Sequence, residues 1–179
     1  MKYLLRFVLA VVLLAALIYG YNFISLTYPV NQRLADDSRN SGVGFNVHYQ
    51  SYINPSAAVI DLDRVKGSIS EADVFRAFLQ ISDRLKDKDF KEVLLASNGV
   101  VKFQITGAYF KELGQSFATQ NPVYSVRTFP EHLYTPTGEN AYGTVTGGLL
   151  GVLGKQMEDF ADFSEKWYLD DLKAGRLVD

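Results

Sequence analysis

The chain has 179 residues and no cysteine, and its 18 basic and 20 acidic residues give a formal net charge of −2 at pH 7. The absence of cysteine excludes disulfides, thiol nucleophiles and thiolate metal sites. The near balance of charge, without a basic stripe, argues against nucleic-acid binding and against electrostatic docking on anionic lipid.

An apolar segment, residues 3–21, lies next to the N-terminus and is interrupted only by Arg6. About 20 helical residues, at about 1.5 Å each, cross a hydrocarbon core of about 30 Å. Lys2 and Arg6 lie at the start of the segment, and the next basic residue is Arg33. The positive-inside rule therefore predicts a cytoplasmic N-terminus and a periplasmic or extracellular domain. Residues 1–21 are thus predicted to be a transmembrane signal anchor.

The same segment also fits a secretory signal peptide, whose cleavage would give a secreted protein. Its strictly apolar core, residues 7–18, has the length of a signal-peptide core. Cleavage after Gly20 would place Ile18 at a position where signal peptides prefer a small residue. Tyr19 and Tyr21 stand where interfacial aromatic residues anchor a membrane helix. These features favour the uncleaved anchor.

Three regions are predicted after the anchor. Residues 22–43 become increasingly polar and are predicted to form a tether. Residues 44–172 have a common size for one domain and are large enough for one hydrophobic core. Residues 173–179 form a C-terminal tail.

Hydrophobic periodicity predicts the elements of the domain. Ser70 and Asp73 form a capping box at the start of an amphipathic helix. Asn98-Gly99 stands between two apolar runs and predicts a type I′ hairpin turn. The predicted strands are 45–50, 57–62, 93–97, 100–105 and 123–127, and the predicted helices are 70–86, 107–117 and 148–172. This ββαββαβα order predicts an α+β fold, with a mostly antiparallel sheet and helices on one face.

A carboxylate pair follows the predicted strand at 57–62. The segment Val59 to Val65 reads as an apolar strand followed by D-x-D-x-V. It resembles the nucleophile motif of the haloacid-dehalogenase-like phosphatases. The resemblance implies that Asp61 is the phosphorylated nucleophile and Asp63 the general acid/base, with Mg²⁺ neutralising the phosphate, and that Ser97 matches the second motif of that family. The alternative interpretation is that both carboxylates cap a turn.

Residues 128–146 have no clear period and are predicted to form a long loop, which in a compact domain is often functional. Arginine and aromatic side chains dominate binding hot spots. The predicted binding residues in and beside this loop are Arg127, Phe129, His132, Tyr134 and Tyr142.

Three glycines fall on one face of the last predicted helix: Gly147, Gly151 and Gly154. Glycine costs about 1 kcal/mol in a helix interior, so this spacing predicts close approach of another backbone. That partner is the domain's own sheet, a helix of another protein or a second copy of the chain.

Binding is favoured over catalysis because the sequence offers no complete catalytic set. The two histidines provide no close-spaced ligand set, so no metal and no cofactor is predicted. The predicted function is a membrane-anchored extracytoplasmic binding module that holds a protein partner or an apolar ligand. The predicted partner is another protein or a second copy of the chain. The alternative function is a phosphatase-like hydrolase that uses Asp61 and Asp63.

Overall fold

In residues 1–66 and 69–177, which the computed structural model describes, the chain forms seven α-helices and four β-strands. The helices are α1 (Lys2–Asn22), α2 (Tyr28–Ala35), α3 (Glu71–Leu85), α4 (Gly107–Ser116), α5 (Pro122–Thr128), α6 (Leu149–Ser164) and α7 (Asp170–Lys173). The strands are β1 (Val43–Gln50), β2 (Asn54–Val65), β3 (Glu92–Ser97) and β4 (Val100–Thr106). Short π-helical turns occupy Phe23–Thr27 and Glu165–Leu169, and 3₁₀ turns occupy Ser38–Asn40 and Phe129–His132.

The strands form one sheet in the order β1-β2-β3-β4. The β1–β2 and β3–β4 pairs are antiparallel, whereas β2 and β3 are parallel. Helix α3 supplies the crossover connection that a parallel pair requires. The α+β class is therefore confirmed, and the sheet is mixed.

The strand predicted at residues 123–127 is wrong, because this segment lies within helix α5. The side chain of Asn121 caps the helix by accepting the N–H of Val123 at 2.9 Å. Pro122 fills the first helical position, where its missing N–H costs nothing. The brief alternation of apolar and polar residues here therefore reflects an amphipathic helical turn.

The predicted capping box and the predicted type I′ turn are both confirmed. Ser70 and Asp73 form both hydrogen bonds of the capping box at the start of α3. Asn98 and Gly99 have φ angles of +50° and +77°, the positive values that a type I′ turn needs at both central positions.

The main core lies between one face of the sheet and the helices. It contains Val47, Ile60 and Leu95 from the strands, together with Phe78 of α3 and Trp167. The other face carries a smaller buried cluster of Val59, Leu94 and Ala96. Within the part of the chain that the structure describes, no helix residue belongs to this second cluster.

The segment predicted as a tether, residues 22–43, is largely helical and packs into the core. Leu26, Val30 and Leu34 point to the same side of the helix and are buried in the main cluster. Their spacing of four residues matches one helical face. The helix thus enters the domain directly, without an extended linker.

Residues 173–179 were predicted as a tail. Leu177 is buried in the main core, and Arg176 contacts the carboxylate of Asp171. Residues 178–179 lie outside the described residues. The described part of this segment therefore packs against the domain.

Helix α1 and its continuation to Ala35 form one helix that is long and apolar enough to cross a membrane. Nearly all side chains of residues 2–21 are exposed, including Leu5, Leu13 and Leu17. Exposed apolar residues on every side of a helix are typical of a segment that is surrounded by lipid rather than by protein.

Candidate ligand-binding cleft

The predicted binding residues do not converge on one surface. Phe129 is fully buried and packs edge-on against Phe75 and Phe78, so its assignment as a contact residue is wrong. A phenylalanine has no polar edge to expose, and the 3₁₀ turn that begins there directs it into the core. His132 is exposed, and its ring stacks on Tyr109 at 3.8 Å between ring centroids.

Two of the other three predicted residues, Tyr134 and Tyr142, hold the loop to the rest of the domain. Tyr134 pairs with Gln104 at the free edge of β4 through two backbone hydrogen bonds of 2.9 Å. The hydroxyl of Tyr142 donates to Asp162 of α6 at 2.7 Å. Arg127 is part of α5 and precedes the loop. Residues 128–146 are therefore anchored at several points rather than forming a structureless loop.

A cleft opens where α3, α4 and α5 meet. Its apolar end has a volume of about 200 Å³ and is lined by Phe75, Leu79, Leu113, Phe117 and Val126, among others. This end reaches the buried rings of the core, because Phe75 also packs against Phe129. The hollow is large enough for a single ring or a short alkyl chain, since an apolar cavity of about 150 Å³ holds benzene.

The polar end of the cleft is a hollow of about 150 Å³ with two carboxylates and one imidazole in its lining: Glu112, Glu131 and His132. Leu113, Gln120 and Ser125 line both hollows, which are therefore neighbours. With neutral histidine, the polar end carries two negative charges and no lysine or arginine. It is suited to a cation or to a hydrogen-bond donor.

The acidic lining of the polar end affects the pKa of Tyr109. Burial raises the pKa of the Tyr109 phenol, and the carboxylates of Glu112 and Glu131 raise it further. Each carboxylate disfavours a second negative charge nearby. The same local field favours a positively charged ligand group.

Arg127 positions this acidic end through Gln156. Its Nε–H donates to Oε1 of Gln156 at 3.0 Å, and Nε2 of Gln156 donates to Glu131 at 2.8 Å. Gln156 is buried, so the chain of hydrogen bonds fixes Glu131 relative to α6. Arg127 is thus a positioning residue rather than a contact at the surface.

This chain matches no protein-family model, no curated protein and no solved structure. Within residues 1–66 and 69–177, no group of three or more His, Asp and Glu side chains is arranged to hold a metal ion. Function is therefore inferred from the chemistry of the cleft and of the membrane helix.

Asp61, the predicted nucleophile of the phosphatase-like motif, lies on the sheet face opposite to the main core. Both oxygens of Asp61 accept the N–H of Gly99 at 3.0 Å, so this carboxylate caps the hairpin turn. Ser97 is two residues from Leu95, so its side chain points to the same, core-facing side of the sheet. Asp61 lies between the core residues Ile60 and Leu62, so its side chain points to the opposite side. Asp61 and Ser97 therefore point away from each other, which gives no support to a shared phosphate site.

We expect Asp61→Asn to fold and to be slightly more stable than the wild type at pH 7. Burial raises the pKa of Asp61, and the N–H of Gly99 only partly opposes this effect. Because the pKa of Asp61 is higher in the folded protein than in the unfolded chain, its contribution to stability is fully present below pH 3.8, the pKa of the unfolded chain. That contribution is lost as the pH rises through the pKa of the folded protein. The asparagine variant avoids this loss, so its melting temperature at pH 7 should be higher than that of the wild type.

Thermal unfolding at pH 7 and at pH 3 measures this difference, which should shrink at pH 3, where aspartate is largely protonated. Asp89→Asn is the control, because the Asp89 side chain is 91% exposed and is expected to have little effect. A large loss of stability in Asp61→Asn at pH 7 would contradict this account of Asp61.

Gly147 lies before the start of α6 and has a φ of +142°, so its predicted place on the helical face with Gly151 and Gly154 is wrong. The predicted close approach is not found at any of these three glycines. A Cβ built on Gly147, Gly151 or Gly154 would meet no atom within 4 Å in the described part of the structure. Close approach occurs instead at Gly107 and Gly114 of α4, where an added Cβ would contact backbone carbonyls. Spacing alone did not reveal which helix lies against its neighbour.

Proposed function

We propose that this protein is a single-pass membrane protein whose extracytoplasmic domain binds a small ligand in the cleft between α3, α4 and α5. The observation that carries the proposal is the direct contact between an apolar hollow and an acidic hollow. Sites for small ligands commonly combine an apolar lining with a few convergent polar groups.

The proposed location depends on the first helix. Lys2 and Arg6 at its start favour a cytoplasmic N-terminus and an exported domain. The exposed apolar side chains of residues 2–21 support membrane insertion, since a water-soluble helix rarely leaves such a surface uncovered.

The proposed ligand has an apolar body and a positively charged or hydrogen-bond-donating end. Phe75 and Phe117 would contact the body, whose size is limited by the hollow of about 200 Å³. Glu112 and Glu131 would accept hydrogen bonds from the polar end, and such charge-assisted bonds are stronger than neutral ones. A free amine and the basic terminus of a peptide both have this chemistry.

We expect phenethylamine, an aromatic ring with an ammonium group, to bind with a dissociation constant of about 1 mM, as suits a ligand of so few atoms. Phenylpropionate, which carries a carboxylate instead, should bind much more weakly because of Glu112 and Glu131. Titration of the detergent-solubilised full-length protein, followed by NMR of the ligand signals, measures both affinities.

Two valines of α5 provide a matched pair of variants. Val126→Phe fills the apolar hollow and should abolish phenethylamine binding. Val123→Phe makes the same change at a position that is 59% exposed and outside the cleft lining, and it should bind normally. Equal binding by both variants would refute the cleft as the ligand site.

We also propose that a protein partner covers the start of α6. Leu150 is 83% exposed and Met157 is 47% exposed there. Gly151 and Gly154 leave space on the same helix. A partner helix or a second copy of the chain could approach this surface closely, as small residues permit.

A further inference from the structure

A second groove lies beside the point where the first helix enters the domain. The π-helical turn and α2 form one wall with Ile24 and Tyr28, and the end of α3 and the turn after it form the other with Arg84 and Lys88. The groove has a volume of about 560 Å³. It is separate from the cleft between α3, α4 and α5, because the two share no lining residue.

The position of this groove along the helix places it at the membrane surface, which rests on the proposed membrane anchoring by residues 3–21. Ile24 and Tyr28 follow Tyr21 by about 4.5 and 10 Å along the helix axis. The headgroup region extends about 5–7 Å beyond the hydrocarbon core. Ile24, which is 72% exposed, therefore lies among the headgroups, and Tyr28 lies a few ångström beyond them.

Hydrogen bonds fix the position of the domain relative to the end of the apolar helix. Asn22 is buried, and its side chain accepts the N–H of Tyr49 at 2.8 Å and donates to the carbonyl of Tyr52 at 2.7 Å. The tip of the β1–β2 hairpin is thereby fixed next to the end of the apolar segment, where Ile53 is 69% exposed. The groove cannot swing away from the membrane while these contacts persist.

The charges in the groove complement a phosphate. In residues 1–66 and 69–177, neither Arg84 nor Lys88 forms an ion pair, whereas the nearby Asp83 is paired with Arg33. Asp87 is the one carboxylate in the lining. The net negative charge of the whole chain therefore does not describe this groove, which is lined by two cations and one carboxylate.

We infer that this groove binds the headgroup of an anionic phospholipid from the same membrane. Arg84 and Lys88 contact the phosphate, and Ile24 contacts the adjoining apolar part of the lipid. Tyr28 lines the end of the groove that is farther from the membrane.

The test uses the full-length protein in nanodiscs of equal parts phosphatidylcholine and phosphatidylglycerol, followed by extraction and native mass spectrometry of the retained lipid. The wild type should retain about tenfold or more phosphatidylglycerol than phosphatidylcholine, as expected for two basic contacts near an anionic lipid surface. Arg84→Gln/Lys88→Gln should lose this preference. Lys111→Gln/Lys155→Gln removes the same charge from exposed lysines elsewhere and should keep it.

Equal lipid preference in wild type and in Arg84→Gln/Lys88→Gln would overturn the inference, as would the absence of a preference in wild type. Competition with glycerol 3-phosphate distinguishes a lipid site from a site for a free phosphate ester, because only the latter is emptied by the soluble compound. Extraction of the protein from membranes by alkaline carbonate would instead show that the anchoring, and thus the proposed location, is wrong.

Discussion

A fragment that begins at residue 44 is expected to remain unfolded, whereas a fragment that begins at residue 22 should fold. Leu26, Val30 and Leu34 belong to the main core and are absent from the shorter fragment. Burying such a side chain contributes about 1.5–3 kcal/mol. The loss of three approaches the entire net stability of a domain, which is about 5–15 kcal/mol.

The shorter fragment also exposes the edge of β1. In the intact chain the side chain of Thr27 donates to the carbonyl of Val47 at 2.9 Å, and Asn22 accepts the N–H of Tyr49 at 2.8 Å. These contacts satisfy backbone groups that an open edge strand would present to other chains. We therefore expect the shorter fragment to aggregate as well as to lack a fixed core.

Near-ultraviolet circular dichroism and thermal unfolding distinguish the two fragments. Trp167, the only tryptophan in the sequence, is 1% exposed and donates to the carbonyl of Ala96 at 3.0 Å, so it reports on core packing. Within the longer fragment, Leu26→Ala should cost about 2–5 kcal/mol, whereas Tyr28→Ala on the exposed side should cost little. A cooperative transition in the fragment from residue 44 would contradict this role of the helix.

The sequence predictions were correct where a feature depends on a few adjacent residues, and less reliable where it depends on residues far apart in the chain. The hairpin at Asn98-Gly99 and the capping box at Ser70 depend on a few adjacent residues, so they were predictable. The segment 123–127 was assigned as a strand because five residues are too few to separate a period of two from a helical period. Its capping signal, Asn121 followed by Pro122, favours a helix and was the better evidence.

The packing of residues 22–35 into the core could be recognised from the spacing of apolar residues, but the polar composition of the segment suggested a linker instead. Leu26, Val30 and Leu34 repeat every four residues, which is a helical face. The polar residues between them suggested a linker, but they occupy the opposite, solvent-exposed side. Amphipathic periodicity was therefore more informative than the average polarity of the segment.

The cleft between α3, α4 and α5 could not be predicted because its walls come from three separate helices. Phe75 of α3 and Val126 of α5 are far apart in sequence, and each alone is typical of a core residue. Arg127 and His132 were identified as functional candidates, and His132 does line the acidic end. The apolar end became visible only when the packing of α4 against α3 was known.

Gly114→Ala is expected to destabilise the protein, whereas Gly151→Ala should stabilise the isolated chain. A Cβ on Gly114 would contact the carbonyl oxygen of Ser82 in α3 and lie 2.7 Å from its carbonyl carbon. Both are backbone atoms, so neither can rotate away. Overpacking of this kind costs about 1–3 kcal/mol or more, which exceeds the gain of about 1 kcal/mol in helix propensity.

Gly151→Ala provides the matched control, because its Cβ would enter open space. The helix propensity of alanine should then raise stability by up to about 1 kcal/mol. Chemical unfolding of both variants measures these opposite effects. If Gly151→Ala also weakens association with a protein partner or a second copy, the proposed contact at α6 is supported, whereas unchanged association argues against close backbone approach there.

The effect of Gly114→Ala should extend to ligand binding, because Leu113, the preceding residue, lines both hollows of the cleft. Moving α4 away from α3 by even a few tenths of an ångström displaces Leu113 and Phe117 relative to Phe75. We therefore expect weaker phenethylamine binding in folded Gly114→Ala protein, measured below its unfolding transition, and unchanged binding in Gly151→Ala. Normal stability and binding in Gly114→Ala would mean that α4 is not seated on α3 at this distance, and the proposed cleft would then lose the wall on which its apolar end depends.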